Sequence, residues 1–146
     1  MALALALRAA TDSERGFCEA LGRANMAPYL AARGIAWEPA RFRASWEAFE
    51  NLVIEADGHI AGLLRLTPEA DALGLRDLQI LPALQRRGIG TWAVRQAARL
   101  AAARGYRHLR LRVYEENPAQ ALYLRLGFRL DRIEAGTTHL VLALDA

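Results

Sequence analysis

The feature that most restricts how this chain can fold is a change of hydrophobic period at Asn51. Before it, apolar residues recur at helical spacing. One helical pattern opens at Thr11 or Asp12, continues past Met26 and breaks near Pro28 and Gly34. A second runs from Pro39 to Phe49, with Phe42, Trp46 and Phe49 set to pack inward. After Asn51 the residues Leu52–Ala56 and Ile60–Leu66 read as strands. Asp57-Gly58 between them is a strong two-residue hairpin signal. Two helices followed by a hairpin do not fit a simple alternation of strand and helix.

The remaining segments complete the pattern. A first strand is expected over Leu3–Ala9. A turn around Pro68 to Asp71 leads to a fourth strand, Leu73–Leu81. A helix from Gly88 to Arg104 lines Ile89, Ala93, Ala97, Leu100 and Ala101 along one face and stops at Gly105. Strand five, Leu109–Tyr114, alternates Leu109, Leu111 and Val113 with Arg110 and Arg112. Asn117 caps a short helix with Pro118 at its first position and Gly127 at its end. Two last strands, Phe128–Glu134 and His139–Leu144, meet near Gly136. The order β-α-α-β-β-β-α-β-α-β-β predicts a mixed-sheet α+β fold. With no repeat or linker, residues 1–146 are expected to form a single domain, large enough to bury about 70% of its unfolded surface.

Charge bears on the class of ligand. The net charge is +3, and the 19 basic residues are all arginine. Arginine grips phosphate with a planar fork and stays charged at any working pH, which suits an anionic small molecule. No run of like charge or arginine-rich arm suggests nucleic acid. The single cysteine, Cys18, lies on a helical pattern and is expected to pack as a small apolar group. No His, Asp or Glu spacing suggests a metal. The opening Met1-Ala-Leu-Ala-Leu-Ala-Leu7 resembles a signal-peptide core but lacks its charged start and cleavage site. No apolar stretch approaches ~20 residues, so a cytoplasmic protein that does not span a membrane is expected.

Chemistry concentrates in Leu81-Pro-Ala-Leu-Gln85-Arg-Arg-Gly88-Ile-Gly90-Thr91. A strand ends, a loop follows, and two glycines open a helix. Gly88 and Gly90 let backbone approach a ligand closely, and the free N–H groups of the helix start favour an anion. Arg86 and Arg87 add fixed charge. The segment reads as a pyrophosphate site; the alternative is an ordinary glycine-rich helix start with surface arginines. A dinucleotide fingerprint fits poorly, because Arg110 and Arg112 stand where an acidic ribose ligand is needed.

Gln85-Arg-Arg-Gly88-Ile-Gly90 resembles the signature of the GNAT (GCN5-related N-acetyltransferase) family, in which Gln or Arg stands three residues before Gly-x-Gly. Leu7-Arg-Ala-Ala-Thr-Asp12 resembles its opening. Asn117-Pro-Ala-Gln-Ala-Leu-Tyr123-Leu-Arg-Leu-Gly-Phe128 resembles its second signature. The resemblance covers essentially the whole chain. It implies a twisted mixed sheet of about seven strands, splayed between strands 4 and 5 and flanked by about four helices.

The resemblance also implies acetyl-CoA as co-substrate. Its pantetheine arm would pair with Leu78, Ile80 and Leu81. Its pyrophosphate would sit on the N–H groups of Arg86, Arg87, Gly88, Ile89, Gly90 and Thr91, with Gln85 also binding the cofactor, and Asn117 would touch the pantetheine. Family chemistry is direct attack of an amine on the thioester, with Tyr123 protonating the departing thiolate. The general base is where the pattern fails. Relatives place glutamate on strand four, where this chain has Gly74 and Arg76, or on strand five, where it has Arg112. Asp77, Glu115, Glu116 and His139 are the remaining candidates. Tyr29 and Trp37, with His139, are candidates for the acceptor side, as apolar walls or cation–π partners, with core packing as their alternative. The expected activity is acetylation of a small-molecule amine. The alternatives are acetylation of a protein N-terminus or side chain, and a non-catalytic acyl-CoA sensor. Pairing of two copies into a homodimer through the later strands is also expected.

Overall fold

The structure, a computed structural model, describes residues 2–145; Met1 and Ala146 lie outside the described residues. The elements are β1 (Leu5–Ala9), a 3-10 turn (Asp12–Glu14), α1 (Arg15–Ala32), α2 (Pro39–Ala48), β2 (Glu50–Ala56), β3 (His59–Glu69), β4 (Ala72–Ile80), a second 3-10 turn (Pro82–Leu84), α3 (Ile89–Ala103), β5 (His108–Tyr114), α4 (Ala119–Arg125), β6 (Arg129–Glu134) and β7 (Thr137–Ala143). Strands and helices follow the expected order. The seven strands form one mixed sheet in the order β1-β2-β3-β4-β5-β7-β6. β4 and β5 are parallel and pair from Ala72 with His108 to Leu75 with Leu111. β5 with β7, and β6 with β7, are antiparallel.

The chain divides into two compact units. One runs to Leu66 and resumes over Asp77–Gly90; the other comprises Thr67–Arg76 and the chain from Thr91 onward. In the first, β1 and β3 flank β2 in antiparallel pairing. Asp57 and Gly58 take positive φ angles of 52° and 81°, which is the backbone the expected tight hairpin requires. Val53, Ile54, Ala61, Leu63, Leu64 and Leu66 are fully buried. Cys18, Phe42, Trp46 and Leu63 form a cluster against which Ala10 and Trp37 pack. Phe49, expected on that inward face, lies just past the end of α2 and is half-buried.

Pro28 does not break α1 as expected; it lies inside the helix. The stop is at Gly34, at φ 66°. Its N–H reaches the Ala31 carbonyl, and the Ile35 N–H reaches the Leu30 carbonyl. This paired closure is a Schellman motif, and a left-handed residue at its centre favours glycine. Elsewhere in the unit, burial pushes the Cys18 thiol up to about 11, with Glu14 adding to the effect, so the residue is a packed thiol at neutral pH.

The start of α1 carries a pH-sensitive contact. Arg8 in β1 holds Glu14 through two guanidinium N–H groups, at 3.0 and 2.8 Å, and donates a third bond to Glu55 at 2.8 Å. The Thr11 N–H also donates to Glu14 at 2.9 Å. The Arg8 contact first, and the Thr11 N–H second, hold the Glu14 carboxyl down to about 2. A carboxyl depressed on folding stabilises the fold above its ordinary range, and that stabilisation is lost as pH falls through the folded value. Denaturation midpoints of wild type and Glu14→Gln should therefore converge between about pH 5 and about pH 2. A gap that stayed constant over that interval would show that the ionised pair contributes nothing.

In the second unit, Leu109, Leu111 and Val113 of β5 are buried, as their alternation predicts. Ala93, Val94, Ala97 and Ala101 of α3 are buried too. β6 is an edge strand and presents Leu130 and Ile133, each about half exposed at 52% and 51%. No helix among the described residues is long and apolar enough to cross a membrane.

Candidate functional site

The candidate site residues fall in both units. In the first, the stretch after β4 folds as the sequence suggests. Pro82–Leu84 make one 3-10 turn, and the chain then passes through exposed Gln85, Arg86, Arg87 and Gly88 before Ile89 opens α3. Arg86 and Gly88 both take left-handed backbone, at φ 63° and 83°. Left-handed residues just before a helix start are a backbone that can turn N–H groups toward an anion. A Cβ built on Gly88 meets nothing of the protein within 4 Å, so open space lies beside this backbone. Gly90, by contrast, lies within the first turn of α3.

The end of β4 is pinned from the side. Asn25 donates to the Ile80 carbonyl at 3.0 Å and to Gln79 at 3.1 Å, and Gln85 donates to the same carbonyl at 3.2 Å. The Leu81 N–H donates to Ala61 at 2.9 Å. Leu78, Ile80 and Leu81 are half-buried. The docking of α1 on β4 aligns the Asn25 and Gln79 amides, a contact that no local sequence signal marks.

Asp77 points into a polar network within the same unit. It accepts from Gln79 at 2.8 Å and lies 3.6 Å from Arg65. Arg65 is buried, donates to Asn51 at 2.8 Å and to Ser45, and sits over the Phe42 and Phe49 rings at 4.6 and 5.0 Å. Burial pushes the Asp77 carboxyl up, while Gln79 and Arg65 pull it down; about a fifth of its side chain (21%) stays accessible. Trp37 donates to Glu19 at 2.9 Å and stacks on Phe42 at 5.8 Å, and Tyr29 is half-buried on α1.

In the second unit Asn117 acts as the expected cap. Its side-chain oxygen accepts the Ala119 N–H at 2.9 Å, with Pro118 already helical at φ −65°. The buried Tyr123 on α4 meets the edge of Phe128 at 5.8 Å. Thr91 is half-buried in the first turn of α3. His139 on β7 faces a cavity of about 120 Å³ that it shares with Glu69, Arg76, Arg110, Arg112 and Arg132. Burial first, then Arg132 and Arg112, hold the His139 imidazole below its ordinary range, so it is neutral at neutral pH. Among the described residues no group of His, Cys, Asp and Glu could hold a metal.

A family model described as the acetyltransferase (GNAT) family matches residues 18–128. The chain belongs to that family. It is 36% identical over 80 residues to the streptothricin acetyltransferase of Streptomyces lavendulae. That match covers 53% of this chain but only 42% of the relative, so the chain spans less than half of the curated protein it matches. Among solved structures, an acetyltransferase from Thermus thermophilus is 25% identical, with a TM-score of 0.78 over 97% of this chain and 98% of that one. The fold also matches that of the paia N-acetyltransferase from Thermoplasma acidophilum, solved in complex with coenzyme A. There the TM-score is 0.76 at 15% identity, over 96% and 99% of the two chains.

One departure of this GNAT chain has a structural counterpart. Gly74 on β4 carries no carboxylate of its own, and the space beside it is filled by Glu69 from the end of β3. A Cβ added to Gly74 would collide with the Glu69 carboxylate. A one-dimensional reading misses this, because the two residues meet only through the turn at Ala70-Asp71.

Proposed function

We propose that the chain is an acetyl-CoA-dependent N-acetyltransferase acting on a primary amine of a small molecule. Family membership supports the reaction class, and the coenzyme A complex of the Thermoplasma fold relative is consistent with the co-substrate. The observation that carries the reading is the left-handed turn at Arg86 and Gly88 opening onto α3, with space beside Gly88. Backbone N–H groups from Arg86 to Thr91, together with the Arg86 and Arg87 side chains, would hold the pyrophosphate. Leu78, Ile80, Leu81 and Asn117 would take the pantetheine arm. The Ile80 carbonyl and the Leu81 N–H already have protein partners, so that arm must use the remaining backbone groups.

The neutral amine attacks the thioester carbonyl, the C–N bond forms and the C–S bond breaks. The amine gives up its proton to solvent or a nearby base, and Tyr123 protonates the departing thiolate. Of the acceptor-side candidates, His139 lines a cavity, while Trp37 packs on Phe42 and donates to Glu19.

On this reading Gly88→Ala adds a Cβ where the ligand passes and strains a left-handed residue by about 1–2 kcal/mol. Its coenzyme A affinity should fall more than that of Arg86→Ala, measured by calorimetry with melting as a control. Arg86→Ala abolishing binding while Gly88→Ala is silent would overturn the backbone nest. Turnover of acetyl-CoA with an amine panel tests the activity itself: tight coenzyme A binding without turnover on any amine would leave the sensor reading.

A further inference from the structure

We propose that the cavity on β4, β5, β6 and β7 is the acceptor site, and that it takes an amine bearing an acid group, a carboxylate or phosphate. This identity of the reacting amine rests on the acetyltransferase reading above; the anion site does not. Four arginines, Arg76, Arg110, Arg112 and Arg132, line the cavity against one carboxylate, Glu69. Asp131, 3.6 Å from Arg110 and 3.1 Å from Arg132, and Glu134, 3.2 Å from Arg132, are not among the lining residues. These carboxylates partly neutralise Arg110 and Arg132 from outside the lining, so the positive excess inside the cavity rests mainly on Arg112, with Arg76 facing Glu69.

Register explains the clustering. Arg112 on β5 pairs directly with His139 on β7, and His139 pairs with Arg132 on β6. Three side chains from three strands thus stand in one row across the sheet. Burial, and then the charge of Arg112, hold the Arg76 guanidinium below its ordinary value. Cations brought this close in a concave site favour an anion between them, and the guanidinium fork fits a carboxylate or phosphate by two parallel bonds. A neutral His139 adds a donor or acceptor without further charge.

Glu69 gives the cavity a second pole. Its carboxylate lies over Gly74, where any side chain on β4 would displace it. An ammonium pairs with Glu69 while the acid group pairs with the arginines, so both ends of an amino-acid-like molecule are matched. The volume, about 120 Å³, is well below the roughly 300–1,000 Å³ of sites for drug-sized ligands. The occupant is a small molecule or a small charged head group.

The test uses the full chain with coenzyme A saturating, so that phosphate cannot report on the Gly88 turn. Calorimetric titration with succinate, and separately with inorganic phosphate, should show one anion site. Arg112→Gln should weaken it about tenfold or more, since it removes a charge-assisted fork. Arg112→Lys should restore part of the loss, and Arg129→Gln, which does not line the cavity, should leave it intact. Whichever anion binds more tightly names the acid.

In turnover, glycine or aminomethylphosphonate should have a lower KM than glycinamide. Arg112→Gln should raise only the KM of the acid-bearing amines, and Glu69→Gln should raise the KM of all three. No anion binding in wild type, binding unchanged in Arg112→Gln, or equal KM for glycine and glycinamide would overturn the proposal. So would acetylation confined to proteins. Failure to bind coenzyme A would instead remove the acetyltransferase reading, and the titrations repeated without coenzyme A would still decide the anion site.

Discussion

Tyr123→Phe should lower turnover by about 10²–10⁴-fold while leaving coenzyme A affinity nearly unchanged. The substitution keeps the ring and its edge contact with Phe128 and removes only the hydroxyl. A phenol is protonated at neutral pH and can donate to a departing thiolate. The side chain is buried, so it also fills space. A packing role predicts a different pattern: normal turnover in Tyr123→Phe, and a stability loss of about 3–5 kcal/mol in Tyr123→Ala from the cavity left behind. Measuring rate, affinity and melting for both variants separates the two. Full turnover in Tyr123→Phe would take this residue out of the mechanism and leave water as the proton donor.

Local signals were legible wherever the backbone itself sets the structure. Asp57-Gly58 specifies its turn because few residue pairs tolerate two positive φ angles. Asn117 specifies its cap because its side chain bonds the first N–H of the helix that follows it, that of Ala119. Alternation placed Leu109, Leu111 and Val113 inward on β5 for the same reason, since the strand period is local. Pro28 misled because a proline loses only one helical hydrogen bond, and the turns on either side of it kept the helix going until Gly34. The candidate site was legible on the loop that opens α3 and on α4, where chemistry follows short motifs. It was not legible where strands bring distant residues together. The Glu69 carboxylate over Gly74, and the row of Arg112, His139 and Arg132, depend on turn length and register. A one-residue slip would send each side chain to the opposite face.

Arg65→Met should destabilise the fold by about 3–5 kcal/mol, the range found when one partner of a buried ion pair is removed. Arg65 keeps only 5% of its side chain accessible, and it serves several groups at once. It bonds Asn51 and Ser45, lies 3.6 Å from Asp77, and rests on Phe42 and Phe49. Methionine fills much of the same space and keeps contact with the two rings, so the loss reports chiefly on polar groups left without their partner. Asp77 gives the pH signature. Burial already pushes its carboxyl above the ordinary range, and losing the Arg65 charge pushes it further. A group whose folded value is raised is best accommodated when protonated, so its penalty grows as pH rises through the folded value. The deficit of Arg65→Met relative to wild type should therefore be largest near neutral pH and shrink as pH falls into the carboxylate range. Adding Asp77→Asn removes the stranded charge, so the double variant should lose less than the sum of the single losses. Urea midpoints for the four proteins at neutral and acidic pH measure both effects. Strictly additive losses, with no pH dependence, would show that Arg65 stabilises the fold through Asn51 and Ser45 and not through Asp77.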